Sequence, residues 1–340
     1  MKKNEQITIH DIARDLEIDS STVSRALNDS PRVSQKTKKR IIDKANELGY
    51  QRNSLASNLR TNTTNTIGVI VPRISRNFFS NVISGIEETA YQAGYNVVIC
   101  QSLESFEREK KIMDTLLSNR VDGILLSTSM ETTTFDHLKP YLNHGGPIVF
   151  YDRPCDFENC SSISINDYKG SFEATEHLIL NGCKNIVYFS GPQVVSLYQN
   201  RKKGYMDALK KYGIAYRESY CIESILSEKD GTASAKKILK LKEVDGLYSA
   251  NDTAAISAMR YLKSQGINIP EDIAVVGFNN DPISAVIEPS LTTINQPDFE
   301  MGRIASSVLI DQIKAKNATK KNQSKILDIE LIVRHSSKKG

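Results

Sequence analysis

Residues Thr8–Leu59 read TIHDIARDLEIDSSTVSRALNDSPRVSQKTKKRIIDKANELGYQRNSLASNL, and the rest of the chain is organised around them. The spacing predicts three short helices and then a fourth segment too short to fold alone. The first covers about Ile9–Leu16. Thr8 is placed to cap it, with Asp11 three residues on where a capping box usually has Glu. Ile9, Ile12, Ala13 and Leu16 fall on one face at helical spacing. After the tight connection Glu17-Ile18-Asp19, a second helix is expected over about Ser21–Leu27, capped by Asp19 or Ser20. Val23, Ala26 and Leu27 turn inward there, and Ser20, Ser21, Ser24, Arg25 and Asn28 turn outward. Asn28-Asp29-Ser30-Pro31 has the composition of a turn. The third helix is expected over Ser34–Leu48, with Gly49 where helices commonly stop.

Two helices joined by a three- or four-residue turn, with small polar residues and one arginine on the exposed face of the second, make a helix-turn-helix DNA reader. Small side chains at Ser20 and Ser21 permit close approach to base edges. Arg25 is long enough to offer a bidentate fork to guanine. The competing reading is a plain three-helix bundle whose polar face means nothing.

Further residues decide between the two. T-I-H-D-I-A at 8–13, S-T-V-S-R-A-L-N at 21–28, V-S-Q-K-T at 33–37 and the run from Leu48 to Leu59 resemble the LacI/GalR family of bacterial transcription regulators, and the resemblance extends over nearly all 340 residues. It implies a headpiece followed by a hinge helix whose leucine wedges into the minor groove at the centre of a palindrome. Leu59 takes that place, with Asn53 and Ala56 before it. The expected DNA contacts are therefore Thr8, Ser20, Ser21, Thr22, Ser24, Arg25, Asn28, Ser34, Thr37 and Tyr50 in the headpiece, and Asn53, Ala56 and Leu59 in the hinge. The expected division is a headpiece over 1–52, hinge and linker over 53–64, and a core over 65–337.

Charge agrees with that division. Residues 1–62 hold twelve Lys and Arg against eight Asp and Glu, a net of +4. The whole chain holds 44 against 40, so the remainder, 32 against 32, is neutral. Lys36, Lys38, Lys39, Arg40 and Lys44 crowd the third helix, where phosphate contacts would use them. Five scattered cysteines fit a reducing cytoplasm better than a disulfide framework. No apolar run is long enough to span a bilayer, and MKKNEQITIHD lacks the apolar stretch of a secretory signal. A cytoplasmic protein without membrane partners is expected.

From Thr66 the pattern changes to alternating strands and helices. Strands are expected at IGVIVP (67–72), YNVVIC, GILLS, PIVFY, SISIN, NIVYFS, GLYSA and IAVVGF. Helices are expected at about Phe78–Ala93, Glu104–Ser118, Phe135–Leu142, Tyr168–Leu180, Arg201–Tyr212, Ala233–Leu241, Thr253–Gln265 and Phe299–Ala315. A final strand is expected at ILDIELI. This alternation implies parallel sheets covered on both faces, in two runs and hence two α/β lobes. The resemblance implies a bilobed fold of the periplasmic sugar-binding-protein type, crossed three times, near Asn166, Asn295 and Lys325. Lobe one would hold about 65–166 and 296–325, lobe two 167–295 and 326–337. The fold class is thus multidomain: an all-α helix-turn-helix headpiece followed by a bilobed α/β effector-binding core.

Ligands of such sheets lie off the carboxyl ends of the strands. Phe78 and Phe79 follow the first strand and suit the apolar face of a sugar or nucleobase, though paired Phe are also ordinary core residues. Arg153 follows PIVFY. Asn166 closes SISIN. Tyr248, Asn251 and Asp252 stand in YSAND, Asn279 in GFNND, and Gln296 in LTTINQP. Arg201 opens R-K-K-G-Y, which matches the family's R-x-x-G-[YF], where the arginine usually reaches the effector. Internal pairing of Arg153 or Arg201 with Asp152, Asp167 or Asp252 is the alternative, because a buried arginine needs a partner. Family members commonly carry Asp where this chain has Asn279. A neutral amide both donates and accepts, which favours a neutral sugar, a sugar acid or a sugar phosphate over a cation.

No G-x-S-x-G, H-E-x-x-H or P-loop pattern is present, and the five histidines are dispersed, so no enzyme, metal or cofactor is expected. The expected function is a ligand-responsive repressor of carbohydrate-utilisation genes. It would act as a homodimer on palindromic operator DNA, with a small-molecule effector between the lobes. A global carbon-control regulator of the same family, answering to a phosphoprotein corepressor, is the first alternative. A receptor without DNA function is the second.

Overall fold

A computed structural model describes residues 7–50, 63–155, 157, 160–241, 243–315 and 322–338. The chain divides into two compact units, residues 1–64 and 65–340. Asn53, Ala56 and Leu59, and with them the hinge reading, lie outside the described residues.

In the first unit three helices, α1 (Ile9–Leu16), α2 (Ser20–Leu27) and α3 (Gln35–Glu47), begin at capped ends. Asp11 Oδ2 accepts from Thr8 N at 2.9 Å and from Thr8 Oγ1 at 2.7 Å, closing the capping box with Asp in place of Glu. Asp19 Oδ1 accepts from Ser21 N at 2.6 Å, and Ser34 Oγ from Thr37 N at 3.2 Å. Ile12, Val23 and Ile41 are completely buried, one from each helix, with Ala26, Ala45 and Leu16 around them. Lys38 departs from the expected basic face. It is buried, and its Nζ donates to Asp29 Oδ1 at 2.6 Å and Asp29 O at 3.1 Å. It pins the turn after α2, where Asp29 is left-handed at φ 51°.

The second unit contains two six-stranded sheets. The strands of the first are β1 (Thr66–Val71), β2 (Asn96–Gln101), β3 (Gly123–Leu126), β4 (Ile148–Tyr151), β5 (Ser161–Ile165) and β11 (Ser324–Leu327), in the order β11-β5-β4-β3-β1-β2 and all parallel. Those of the second are β6 (Ile186–Ser190), β7 (Cys221–Glu223), β8 (Gly246–Ser249), β9 (Ala274–Asn279), β10 (Thr292–Asn295) and β12 (Glu330–Ile332), in the order β12-β10-β9-β8-β6-β7. Among the described strands of this sheet only β12 is antiparallel to its neighbour, β10. Interior strands such as β3 and β8 are buried along their whole length, as strands covered on both faces must be.

Helices of the second unit are α4 (Asn77–Gln92), α5 (Phe106–Ser118), α6 (Lys139–Asn143), α7 (Asp167–Leu180), α8 (Ser196–Lys211), α9 (Glu228–Ile238), α10 (Asp252–Ser264), α11 (Ile283–Val286) and α12 (Asp298–Lys314). ILDIELI is not one strand. It supplies β11 to the first sheet and β12 to the second, so the third crossing lies at Asp328-Ile329. The expected helix start at Glu104 is also displaced. Glu104 is left-handed at φ 63° and α5 begins two residues later, which frees the Glu104 side chain to turn inward.

Candidate functional site

On the first unit, α2 and its C-cap Asn28 present Ser21, Arg25 and Asn28 exposed and Ser20, Thr22 and Ser24 partly so, while Val23 and Ala26 face the core. Asn28 Nδ2 bonds back to Ser24 O at 2.7 Å. Ser34 and Thr37 share a 2.8 Å hydroxyl contact within the α3 cap. Tyr50 packs partly buried against the headpiece core. Lys36, Lys39 and Arg40 remain exposed on α3. The unit thus offers one small-polar helix face carrying an exposed guanidinium and a basic flank, which is the chemistry of base-edge reading with phosphate support.

In the second unit the carboxyl ends of both sheets meet across a cleft of about 800 Å³. Of the expected effector residues, Phe78, Phe79, Arg153, Arg201, Asn251, Asn279 and Gln296 line it. Three do not. Asn166 is exposed and caps α7, accepting from Lys169 N at 2.9 Å. Tyr248 is fully buried in the second lobe's core, its ring stacked on Tyr188 with centroids 5.0 Å apart. Asp252 is fully buried and accepts from Asp281 N, Ser284 Oγ and Thr293 Oγ1 at 2.6–2.8 Å. A strand-end position placed these three in the cleft by sequence, but their side chains point into a cap, a core and a loop anchor. Burial and Asp281 push the Asp252 carboxyl up to about 7, against the pull of its hydroxyl and N–H donors.

The wall is built from both lobes. Phe78 and Phe79 meet edge to face at 5.1 Å and are almost fully buried. Arg201, on α8, donates through Nε to Asp167 Oδ1 at 2.8 Å and through Nη1 to Ala250 O at 2.7 Å, and its guanidinium lies 3.5 Å from the Phe278 ring centroid. This is the internal pair the sequence allowed as an alternative. The R-x-x-G-Y motif has structural reasons beyond the arginine. A Cβ at Gly204 would stand 2.3 Å from Tyr168 O, so glycine lets α8 pack against α7, and Tyr205 Oη donates to Ile186 O at 2.7 Å.

Arg153 pairs with a residue the sequence reading missed. Its Nη1 and Nη2 donate to the two carboxylate oxygens of Glu104 at 2.8 and 2.9 Å, and Nη1 also to Thr128 O at 2.5 Å. Asp152 is left-handed at φ 65° and buried beside this pair. Burial pushes its carboxyl up to about 6 despite Arg153 and Arg201 nearby. Gln296 Nε2 donates to Asn279 Oδ1 at 2.7 Å, while Gln296 Oε1 and Arg153 Nε are buried with no hydrogen-bond partner among the described residues. From lobe one, Arg76 reaches lobe two, donating to Thr253 Oγ1 at 2.9 Å and Leu226 O at 3.4 Å. Neither Arg76 nor Glu104 stands in a recognisable motif. Only their position just after strands β1 and β2 marks them.

Residues 64–335 match the family described as periplasmic binding proteins and sugar binding domain of the LacI family, and residues 8–53 match the bacterial regulatory proteins of the lacI family. The chain belongs to the LacI family. It is a DNA-binding transcriptional regulator with a two-lobed effector core. The HTH-type transcriptional repressor CytR of Escherichia coli K12 is 32% identical over 338 residues, which cover 99% of this chain and 98% of that one. A transcriptional regulator CelR–cellobiose complex matches with a TM-score of 0.73 at 27% identity, covering 97% of this chain and all of that one. The lac repressor dimer bound to operator and the anti-inducer ONPF matches with a TM-score of 0.86 over 98% of this chain and 99% of that one, and at 24% identity it speaks for the fold alone. Among the described residues no helix is long and apolar enough to cross a membrane, and no cluster of His, Cys, Asp and Glu could hold a metal ion.

Proposed function

We propose that this LacI-family regulator is a cytoplasmic, non-enzymatic repressor of carbohydrate-utilisation genes, and that a neutral polyhydroxy molecule of the sugar class binds in the interlobe cleft as its effector. The observation that carries the reading is the charge balance of that cleft. Among the described residues Arg73, Arg76, Arg153 and Arg201 line it with Glu104, Asp152, Glu228 and Asp281, four of each sign. Both guanidiniums at its floor already hold carboxylates. Among the described residues Arg153 Nε and Gln296 Oε1 have no hydrogen-bond partner, and the Asp152 carboxylate accepts a long 3.4 Å bond from Ser127 Oγ, a set that suits hydroxyls that donate and accept. The Phe78–Phe79 pair supplies an apolar face for a sugar ring. Cellobiose in the CelR complex is an occupant of this class.

Two copies are proposed to act together, each headpiece laying α2 in the major groove of one half-site of a palindrome, as the lac repressor dimer on its operator suggests. The proposed base-edge contacts are Ser20, Ser21, Thr22, Ser24, Arg25 and Asn28. Thr8, Ser34, Thr37 and Tyr50 are the proposed backbone contacts, with Asn53, Ala56 and Leu59 in the hinge. The test pairs two measurements on the full chain: selection of bound sequences from random duplexes, and a thermal-shift screen of neutral sugars, sugar acids and sugar phosphates. Palindromic enrichment together with stabilisation by a neutral sugar is the expected result. Enrichment without any sugar response would remove the effector reading and leave the DNA reading.

A further inference from the structure

We propose that Glu104 is the specificity-determining residue that makes the cleft refuse anionic effectors; this rests on reading the cleft as the effector site. An arginine on a binding wall ordinarily invites phosphate or carboxylate, because its planar fork matches two oxygens at once. Here the fork of Arg153 is filled from within the protein. Glu104 takes both terminal nitrogens, and its Oε2 also accepts from Met130 N at 2.9 Å, so the carboxylate is held in place from a second side. The pair is largely withdrawn from water, with side chains 6% and 15% exposed for Arg153 and Glu104.

The other edge of the guanidinium is guarded as well. Arg153 Nε stands 3.8 Å from Asp152 Oδ2, too far for a hydrogen bond but near enough for that carboxylate to meet any incoming anion. An anion at Arg153 would therefore meet the carboxylates of Glu104 and Asp152 beside that guanidinium, while the next cation, Arg201, is already paired with Asp167. A hydroxyl meets a single free N–H and a neighbouring acceptor, at no electrostatic cost. The backbone makes this arrangement deliberate in form. Glu104 sits in the connection between β2 and α5, three residues past Gln101, in a left-handed conformation that turns its side chain toward Arg153 at the end of β4.

The test uses inorganic phosphate as the anion and reads the Arg153 side-chain Nε–H resonance of the full-length protein, assigned by its loss in Arg153→Lys. Ionic strength is held constant with chloride. Phosphate bound by the basic headpiece leaves this resonance unmoved. In the wild type, phosphate is expected to leave the signal in place. In Glu104→Gln it is expected to shift the signal, with affinity for phosphate at that site raised roughly tenfold or more, equivalent to about 1.4 kcal/mol. A phosphate-dependent shift in the wild type overturns the proposal, as does a folded Glu104→Gln protein that stays silent. Should Glu104→Gln not fold, Glu104→Ala takes its place with the same expected shift, and its silence overturns the proposal. No sugar enters this comparison, so a failed sugar screen counts against the effector reading and not against this result.

Discussion

At the scale of single residues, exposure and pairing separate readers from supports. Arg25 is exposed on α2. Arg25→Ala is expected to weaken specific DNA binding by about 1–3 kcal/mol and to relax preference at one base pair per half-site. Titrations against operator variants check this; an equal loss on every sequence would reassign Arg25 to phosphate. Asp152 gives a pH test with two readouts. Its carboxyl is raised from 3.8 to about 6 by burial, opposed by Arg153 and Arg201 and reinforced by Asp167 and Glu104. The folded state thus holds the proton more tightly than the unfolded chain, and Asp152's contribution to stability falls as pH rises from about 4 to about 6, then levels. Effector affinity should move the other way, rising through about pH 6 as the carboxylate becomes a pure acceptor. Asp152→Asn should make the fall in stability shallower, with Asp252, raised to about 7, keeping part of it, and should flatten the affinity profile; thermal melts and calorimetry measure the two. A wild-type affinity independent of pH would exclude Asp152 from the effector contacts.

Elements were legible from sequence where their ends carry local chemistry. Helix α1 begins and ends where Thr8, Asp11 and the apolar spacing place it, because the cap is written in adjacent residues. Helix α8 begins five residues before the expected Arg201, since Val195 offers no side-chain cap to announce Ser196. The sequence pattern puts Glu104 in a helix, because nothing local tells that its partner lies 49 positions away. It puts Lys38 on the basic face for the same reason: its partner Asp29 is set by the turn, not by helical period. The close crossing of α4 and α12 was also invisible, since it depends on two glycines meeting across the fold. A Cβ on Gly302 would lie 2.0 Å from Val82 O, and one on Gly85 2.1 Å from Phe299 O. Backbone cannot step aside as a side chain can, so Gly302→Ala is expected to cost about 1–3 kcal/mol, although alanine favours helix by about 1 kcal/mol over glycine. Because α4 carries Phe78 and Phe79 at its start, effector affinity should fall with it. Denaturant melts with an unchanged slope, together with calorimetry, check both; an Ala variant as stable as wild type would mean the helices part without loss.

At the scale of the whole molecule, an effector can act only through a difference in its affinity for two arrangements of the chain. The lobes are joined by crossings at 165–167, 295–298 and 327–330, which permit a change of angle about short connections. Arg76 opposes such a change, since its two donor bonds to Thr253 and Leu226 span the cleft. Hydrogen bonds of this kind contribute about 0.5–1.5 kcal/mol each, so losing both shifts an equilibrium between lobe angles by roughly fivefold or more. Arg76→Ala is therefore expected to change the factor by which effector alters operator affinity, whether the effector releases or promotes binding. Linkage adds a second demand: the same changed factor must appear when effector affinity is measured on operator-bound protein. Anisotropy of a labelled operator across an effector series gives the first factor, and calorimetry of effector into the operator complex gives the second. If both factors equal the wild-type value in a variant that still binds effector, lobe angle is not what passes between the sites, and the coupling must run through contacts that Arg76 does not touch.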